Sequence, residues 1–255
     1  MMMMLSLLHA ILRPRHCLKA ILAALVLLTS LNLQASIAIG LTRAIVTGDN
    51  NAGSVQILNE GRYPALIQVW IDNGIDEMSK TPEEIQVPFV INTPVFRLEG
   101  RDNRRIRIFY TGKGRSLPSD RESMFWLNVL EVPPKNREAR PDTNSVQIAF
   151  HSRIKLFYRP HGIPAQAQEI GSQLIFTRLP SNGLQITNPT PFHITFMTLE
   201  IDGTSLTVAP NDMIAPLTTV TIPVPPAKKA ATTGTRVVYS IIDDFGSTVK
   251  YEKTL

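Results

Sequence analysis

The residues that could do chemistry are few and scattered. Beyond residue 35 the histidines are His151, His161 and His193, each isolated in the sequence, whereas a zinc site needs clustered His or Cys ligands. Asp243-Asp244 and Glu83-Glu84 are adjacent acid pairs. Successive residues on a strand point to opposite faces, so neither pair readily shares a site. There is no Gly-rich phosphate loop after a strand pattern and no Gly-x-Ser-x-Gly elbow. No metal or cofactor is implied, and an enzyme would have to assemble dispersed residues. Another kind of chemistry is available. Val146, Ile148 and Phe150 alternate with Gln147, Ala149 and His151, which places three apolar side chains on one strand face. On periodicity alone this is an ordinary strand facing its own core.

The elements around these residues read as strands. Ala65–Asp72 is a strand with one wholly apolar face, ended by the turn signal Asn73-Gly74. Ile106, Ile108 and Tyr110 alternate with Arg105, Arg107 and Phe109, the pattern of a half-exposed strand. Met124–Val132 is an apolar run stopped by Pro133-Pro134, and Gln147–Tyr158 reads as one long strand. Arg159–Gly171 lacks periodicity and contains Pro160, Gly162 and Pro164, so a domain boundary is expected there. Strand signals resume at Leu174–Arg178, Gly183–Thr187, His193–Ile201, Thr219–Pro223 and Arg236–Asp243. Outside the N-terminal segment no stretch has helical periodicity. Short strands between turn residues, 19 prolines among them, predict an all-β chain of two sandwiches.

The first 35 residues differ from the rest. Arg13, Arg15 and Lys19 precede an almost wholly apolar run, Ala20–Leu31, and small residues follow at Ala35, Ser36 and Ala38. This predicts a cleaved secretory leader, residues 1–35, with the Ser36–Ala38 stretch as a second candidate site for the cut. Cys17, the only cysteine, lies in the leader and lacks the small apolar residues that precede a lipidated cysteine. Removing the leader's three cations and no anions takes the net charge from +5 to +2, so no nucleic-acid partner is implied. The remaining roughly 220 residues suffice for two domains of ~110, each held by burial without disulfides.

One segment carries a family likeness. Leu117-Pro118-Ser119-Asp120-Arg121-Glu122-Ser123-Met124-Phe125-Trp126-Leu127-Asn128-Val129-Leu130-Glu131-Val132-Pro133-Pro134 closely resembles the signature of the PapD-like periplasmic pilus and fimbrial assembly chaperones. Lys155-Leu156-Phe157-Tyr158-Arg159-Pro160, Asn188-Pro189-Thr190-Pro191 and Asp244-Phe245-Gly246 match the same family in consistent order. Only 11 residues separate Pro134 from Val146, which resembles the family's short-loop subclass. Asn92-Thr93-Pro94-Val95 departs from it, with one proline where members often have two.

The resemblance implies two immunoglobulin-like β-sandwiches set in an L with a cleft between them, residues 36–158 and 159–255. It implies a non-catalytic periplasmic chaperone of the chaperone–usher pathway. Such a protein binds pilus or fimbrial subunits by donor-strand complementation and delivers them to the outer-membrane usher. By resemblance, Val146, Ile148 and Phe150 form the donated strand, and Arg43 and Lys155 grip the subunit's C-terminal carboxylate. Glu122, Arg159 and Asp244 form an inter-domain charge network. Arg43 and Lys155 are expected to have no obligatory partner within the chain. A self-capping homodimer of the free chaperone remains open, and no stable membrane association is expected once the leader is cleaved. The competing reading is an Ig-like pilus subunit or adhesin-type structural protein. Subunits usually carry a cysteine pair and lack the Lys155–Pro160 segment, which argues against it.

The leader reading has a direct check: the exported protein is expected to begin at Ser36 on N-terminal sequencing. Met1 retained in a membrane fraction would contradict it.

Overall fold

A computed structural model of the chain describes residues 36–114, 116–134, 147–164, 167, 169–209, 212–225 and 234–255. The leader, Val146 and the segment between Pro134 and Val146 lie outside the described residues. Among the described residues, nine strands build the first sandwich: β1 (Ile37–Ile39), β2 (Arg43–Thr47), β3 (Ala52–Asn59), β4 (Ala65–Asp72), β5 (Phe89–Ile91), β6 (Val95–Leu98), β7 (Asn103–Tyr110), β8 (Ser123–Val132) and β9 (Phe150–Arg159). The second contains β10 (Ile175–Arg178), β11 (Gly183–Asn188), β12 (Ile194–Ile201), β13 (Thr204–Ser205), β14 (Met213–Ile214), β15 (Thr218–Pro223), β16 (Arg236–Ile242) and β17 (Thr248–Thr254). Among the described residues helix is confined to short 3-10 turns at Ile75–Glu77, Pro82–Glu84 and Ile170–Gln173. Among the described residues no helix is long and apolar enough to cross a membrane.

In the first sandwich the pairing order is β5-β7-β3-β2-β9-β8-β4-β6, with β1 on β3. Strand β2 links the layers: it meets β3 at the hairpin position Thr47–Ala52 and runs parallel to β9 along its whole length. The two layers enclose one apolar core. Ile67, Val69 and Ile71 of β4, Leu127 and Val129 of β8, and Leu156 of β9 meet Val55 and Ile57 of β3 and Ile106 and Ile108 of β7. Alternation explains the selection. On β4 the odd residues are apolar and buried, while Leu66, Gln68 and Trp70 face the other way. The second sandwich stacks β10-β11-β15 against β13-β12-β16-β17 over a separate core that includes Leu174, Leu184, Ile186, Ile214 and Tyr239.

Ala65–Asp72 is observed with the expected ends, and the expected Met124–Val132 run begins one residue earlier. The Gln147–Tyr158 strand is shorter at its start than expected. The ladder to β8 stops at the pair Phe150–Glu131, because Pro133 and Pro134, just past β8, have no N–H to donate. Gln147, Ile148 and Ala149 therefore precede the strand. Strands β1, β2, β3, β5, β6, β13, β14 and β17 are not distinguished in the sequence. They are short, glycine-containing or edge strands whose polar and apolar residues do not alternate cleanly.

Asn188 shows how a polar residue can be part of a core. It is fully buried. Its Nδ2 donates to the carbonyls of Phe192 (2.7 Å) and Ala215 (3.0 Å), while its Oδ1 accepts from the Thr190 backbone N–H (3.0 Å) and hydroxyl (2.7 Å). The side chain thus satisfies the backbone of the Pro189–Pro191 corner, where the prolines supply no donors. Asn188→Ala is expected to lower stability by roughly 2–4 kcal/mol, since buried carbonyls and an N–H lose their partners. Urea unfolding measures this; a loss under about 0.5 kcal/mol would contradict the role.

Candidate functional site

Strand β9 is paired unequally on its two edges. Along its whole length to Tyr158 it pairs antiparallel with β8, from Phe150–Glu131 to Tyr158–Ser123. On the other edge, β2 pairs only with Lys155–Arg159. Among the described residues, positions 150–154 have no strand on that second edge. Unpaired backbone groups on an edge are a template for another strand. Phe150, which begins this stretch, and Ile148, just before it, are 47% and 61% exposed. Ile154, Leu156 and Tyr158, of the same parity, pack on or in the first core. The open segment therefore extends a core-facing row of apolar side chains beyond its own sandwich. Val146, the first expected member of that row, lies outside the described residues.

The opposite face of β9 bears Lys155, Phe157 and Arg159. Arg43 and Lys155 are register partners in the parallel β2–β9 ladder, so their side chains project from the same face. Arg43 is only 6% exposed. Its Nη1 donates to the Ile242 carbonyl at 3.0 Å, its guanidinium lies 5.8 Å from the Phe157 ring centre, and its Nε is buried without a hydrogen-bond partner. Burial lowers the Arg43 pKa against the raising pull of Asp244, Glu122 and Asp243. Lys155 donates to the Thr195 hydroxyl at 3.2 Å. Its pKa falls to about 8, first because of burial and then because of the Arg43 charge. The expectation that these cations lack partners within the chain is corrected. Arg43 reaches Ile242 and Lys155 reaches Thr195, since the second sandwich packs close enough to offer a carbonyl and a hydroxyl. Both are neutral acceptors, so neither cation is charge-compensated by these bonds.

Arg159, at the end of β9, is 3% exposed and lies between two carboxylates. Its Nε donates to Glu122 at 2.6 Å, and its Nη1 and Nη2 donate to the two oxygens of Asp244 at 2.7 and 2.5 Å. Burial opposes the charge, but the bonds to Asp244 and the field and bond of Glu122 raise the Arg159 pKa overall. Glu122 belongs to the first sandwich and also accepts from the His193 backbone N–H at 2.8 Å. Its own N–H donates to the Pro191 carbonyl at 2.9 Å. Asp244 sits in the β16–β17 turn and accepts from the Ala167 N–H at 3.1 Å. That turn needs Gly246. Its φ is +84°, and a Cβ there would lie 2.6 Å from the Thr42 hydroxyl. The structure therefore brings the three charged residues together across the two sandwiches.

The sequence did not point to His193, Phe157 and Thr195 as parts of this region. His193 stacks on Phe157 with ring centres 5.3 Å apart, and its Nδ1 lies 3.2 Å from Glu122. No local signal could have found this, since its partners are Glu122, just before β8 and 71 positions away, and Phe157 of β9. Among the described residues there is no group of acids, histidines or cysteines that could hold a metal ion.

These features define a class: a two-sandwich binding protein that offers an open, apolar strand edge beside a pair of buried cations. Comparison with known proteins agrees. Residues 36–164 match the family model described as pili and flagellar-assembly chaperone, PapD N-terminal domain, and residues 169–253 match the pili assembly chaperone PapD C-terminal domain. The chain is 39% identical over 228 residues to the chaperone protein FimB/FhaD of Bordetella pertussis, covering 87% of this chain and 89% of that one. It is 37% identical over 222 residues to the probable fimbrial chaperone YadV of Escherichia coli K12, covering 85% and 88%. The crystal structure of YadV superposes with a TM-score of 0.69 at 34% identity, covering 86% of this chain and all of that one. The chain belongs to the PapD family of pilus-assembly chaperones, with two immunoglobulin-like domains.

The charge network yields a prediction. Arg159→Ala leaves two carboxylates facing each other in a buried site, so stability is expected to fall by about 3–5 kcal/mol. A loss below ~1 kcal/mol in chemical unfolding, as for a solvent-exposed pair, would contradict a structural role.

Proposed function

We propose that this chaperone holds a pilus or fimbrial subunit by lending it the open edge of β9, and that Arg43 and Lys155 bind the subunit's C-terminal carboxylate. The observation that carries this reading is one strand with two roles. Among the described residues positions 150–154 have no second strand partner, and the next residue, Lys155, begins the cationic site. Strand addition supplies backbone hydrogen bonds for affinity and side-chain pockets for specificity. Burying Ile148 and Phe150 in a subunit groove contributes roughly 3–6 kcal/mol gross, at about 1.5–3 each. The carboxylate fixes the register, because a chain end held at Arg43 and Lys155 sets which residues lie opposite Phe150 and Ile148.

In this reading the protein acts in the periplasm after loss of residues 1–35, catalyses no reaction, and passes its cargo to an outer-membrane usher. Residues 36–158 form the donor domain, and residues 159–255 form the second wall of the cleft. Glu122, Arg159 and Asp244 set the angle between them. A buried, bidentate ion pair has a narrow geometry, which suits a joint that must keep the cations and the strand edge in fixed relation.

The test uses Arg43→Ala and Lys155→Ala with the subunit that co-purifies with the wild-type protein, in native and C-terminally amidated forms. Each variant is expected to bind the native subunit about 2–5 kcal/mol more weakly, which is roughly 30-fold to several thousand-fold. The free Arg43→Ala protein should change stability by under about 1 kcal/mol, since losing one bond to Ile242 is offset by removing a buried charge. Wild-type binding that ignores amidation would contradict the carboxylate reading.

The Lys155 pKa gives this site a pH signature. Affinity for the native subunit should be retained below about 8 and fall as pH rises through that value, because neutral Lys155 no longer attracts an anion. The free protein should respond in the opposite sense. A lysine whose folded pKa is depressed below its ordinary 10.5 binds more protons when unfolded, so its contribution to stability rises between about 8 and 10.5. Titration calorimetry and unfolding across pH 7–10.5 separate the two. An affinity that stays flat across pH 8, or that rises, would remove Lys155 from the anchor.

A further inference from the structure

The polar face of the open β9 segment is tied down residue by residue. Gln147 Nε2 donates to the Pro133 carbonyl at 2.6 Å, before the strand begins. The His151 ring stacks on Trp70 of β4, with centres 5.0 Å apart and planes 28° apart, and its Nε2 lies 2.9 Å from Asn128 Oδ1 of β8. Asn128 Nδ2 donates to Asp72 Oδ2 of β4 at 2.8 Å, and the other Asp72 oxygen pairs with Arg153 of β9. Arg153 in turn lies over the Trp126 ring of β8 at 4.6 Å. Asp72 and Asn128 are almost wholly buried. These contacts join β9 to β8 and β4 by side chains over a stretch whose other edge has no strand among the described residues.

The ties fall on one parity only. Gln147, His151 and Arg153 hold to the body of the sandwich, while Ile148 and Phe150, between them, stay exposed. An extended segment with one strand neighbour can twist about its axis or peel away, and turning it over would direct Ile148 and Phe150 to the wrong side. We propose that His151, with Gln147 and Arg153, is a positioning residue that fixes which face the open segment presents, so that the apolar row is preformed for its partner. This inference rests on the strand-donation reading and adds residues outside the apolar row and the cationic anchor. Preorganisation raises affinity by lowering the ordering cost at binding.

The network has a titratable member. Burial lowers the His151 pKa from its ordinary 6.5, the Arg153 charge lowers it further, and Asp72 raises it. The charged groups facing the ring are Arg153 of its own strand and Asp72 of β4, while β8 contributes the neutral Asn128. With a depressed folded pKa, the unfolded or detached segment takes up the proton more readily. The tie is therefore complete above about 6.5 and weakens as pH falls through the folded value.

The experiment is amide hydrogen exchange on the free full-length protein at pH 7.5 and pH 5, corrected for intrinsic rates. It compares wild type, His151→Ala and His151→Gln. At pH 7.5, His151→Ala is expected to speed exchange at least 5-fold at those amides of residues 150–154 that the β8 ladder protects. Residues 155–158, held on both edges, should not change. Wild type should lose part of the 150–154 protection at pH 5, whereas His151→Gln, which keeps a side-chain donor and cannot titrate, should show no such loss. Unchanged protection in His151→Ala, a uniform rise along β9, or equal pH responses in wild type and His151→Gln would each overturn the proposal. These readouts need no partner, so they are independent of strand donation. As a separate arm, Gln147→Ala/His151→Ala should capture the co-purifying subunit at least 10-fold more weakly with Ile148 and Phe150 intact. Loosened exchange with undiminished capture would place the fault in the strand-donation reading.

Discussion

Strand β9 has hydrogen-bonding groups on two edges, and the described chain supplies a partner for both only from Lys155 onward. The rest of the molecule can be understood from that inequality. On one side of Lys155 the strand is an interior element, with Leu156 and Tyr158 in the core and Arg159 in the joint. On the other side it is an edge carrying exposed apolar side chains, a combination that natural sheets usually avoid because it invites pairing. An exposed apolar edge becomes useful when the intended partner lacks a strand. The long ladder to β8 is then essential, because it keeps the open segment extended in the absence of cargo.

The three cations near the joint show how burial separates structure from binding. Arg159 is buried with two carboxylates and hydrogen-bonded through three nitrogens, and its pKa is raised. Arg43 and Lys155 are buried opposite neutral acceptors, and the pKa of each is lowered. All three are desolvated, and for Arg159 the hydrogen-bonded carboxylates of Glu122 and Asp244 offset that cost. In the proposed reading an arriving carboxylate lies against Arg43 and Lys155, while Arg159 stays with its own two carboxylates.

Much of this was legible from residue order. The apolar alternation of Ala65–Asp72 set both ends of β4, and Pro133-Pro134 marked the end of β8. Glu122, Arg159 and Asp244, named from the family likeness, lie in contact although 85 residues separate Arg159 from Asp244. Other features depended on tertiary placement. Nothing local shows that Arg43 meets the Ile242 carbonyl, that His193 caps Glu122, or that His151 rests on Trp70. The early start expected for β9 failed because apolar alternation continues through Ile148 after the ladder has lost its donors at the two prolines. Periodicity reports which way side chains point; it does not report whether a neighbouring strand is present.

The central claim is that a partner's strand completes the open edge of β9. Hydrogen exchange on the complex purified with its bound subunit, compared with the free protein, tests it directly. Amides of residues 150–154 that point away from β8 should exchange freely in the free protein and become strongly protected in the complex, with little change at residues 155–159. Protection that appears elsewhere while residues 150–154 still exchange freely would contradict strand addition at β9.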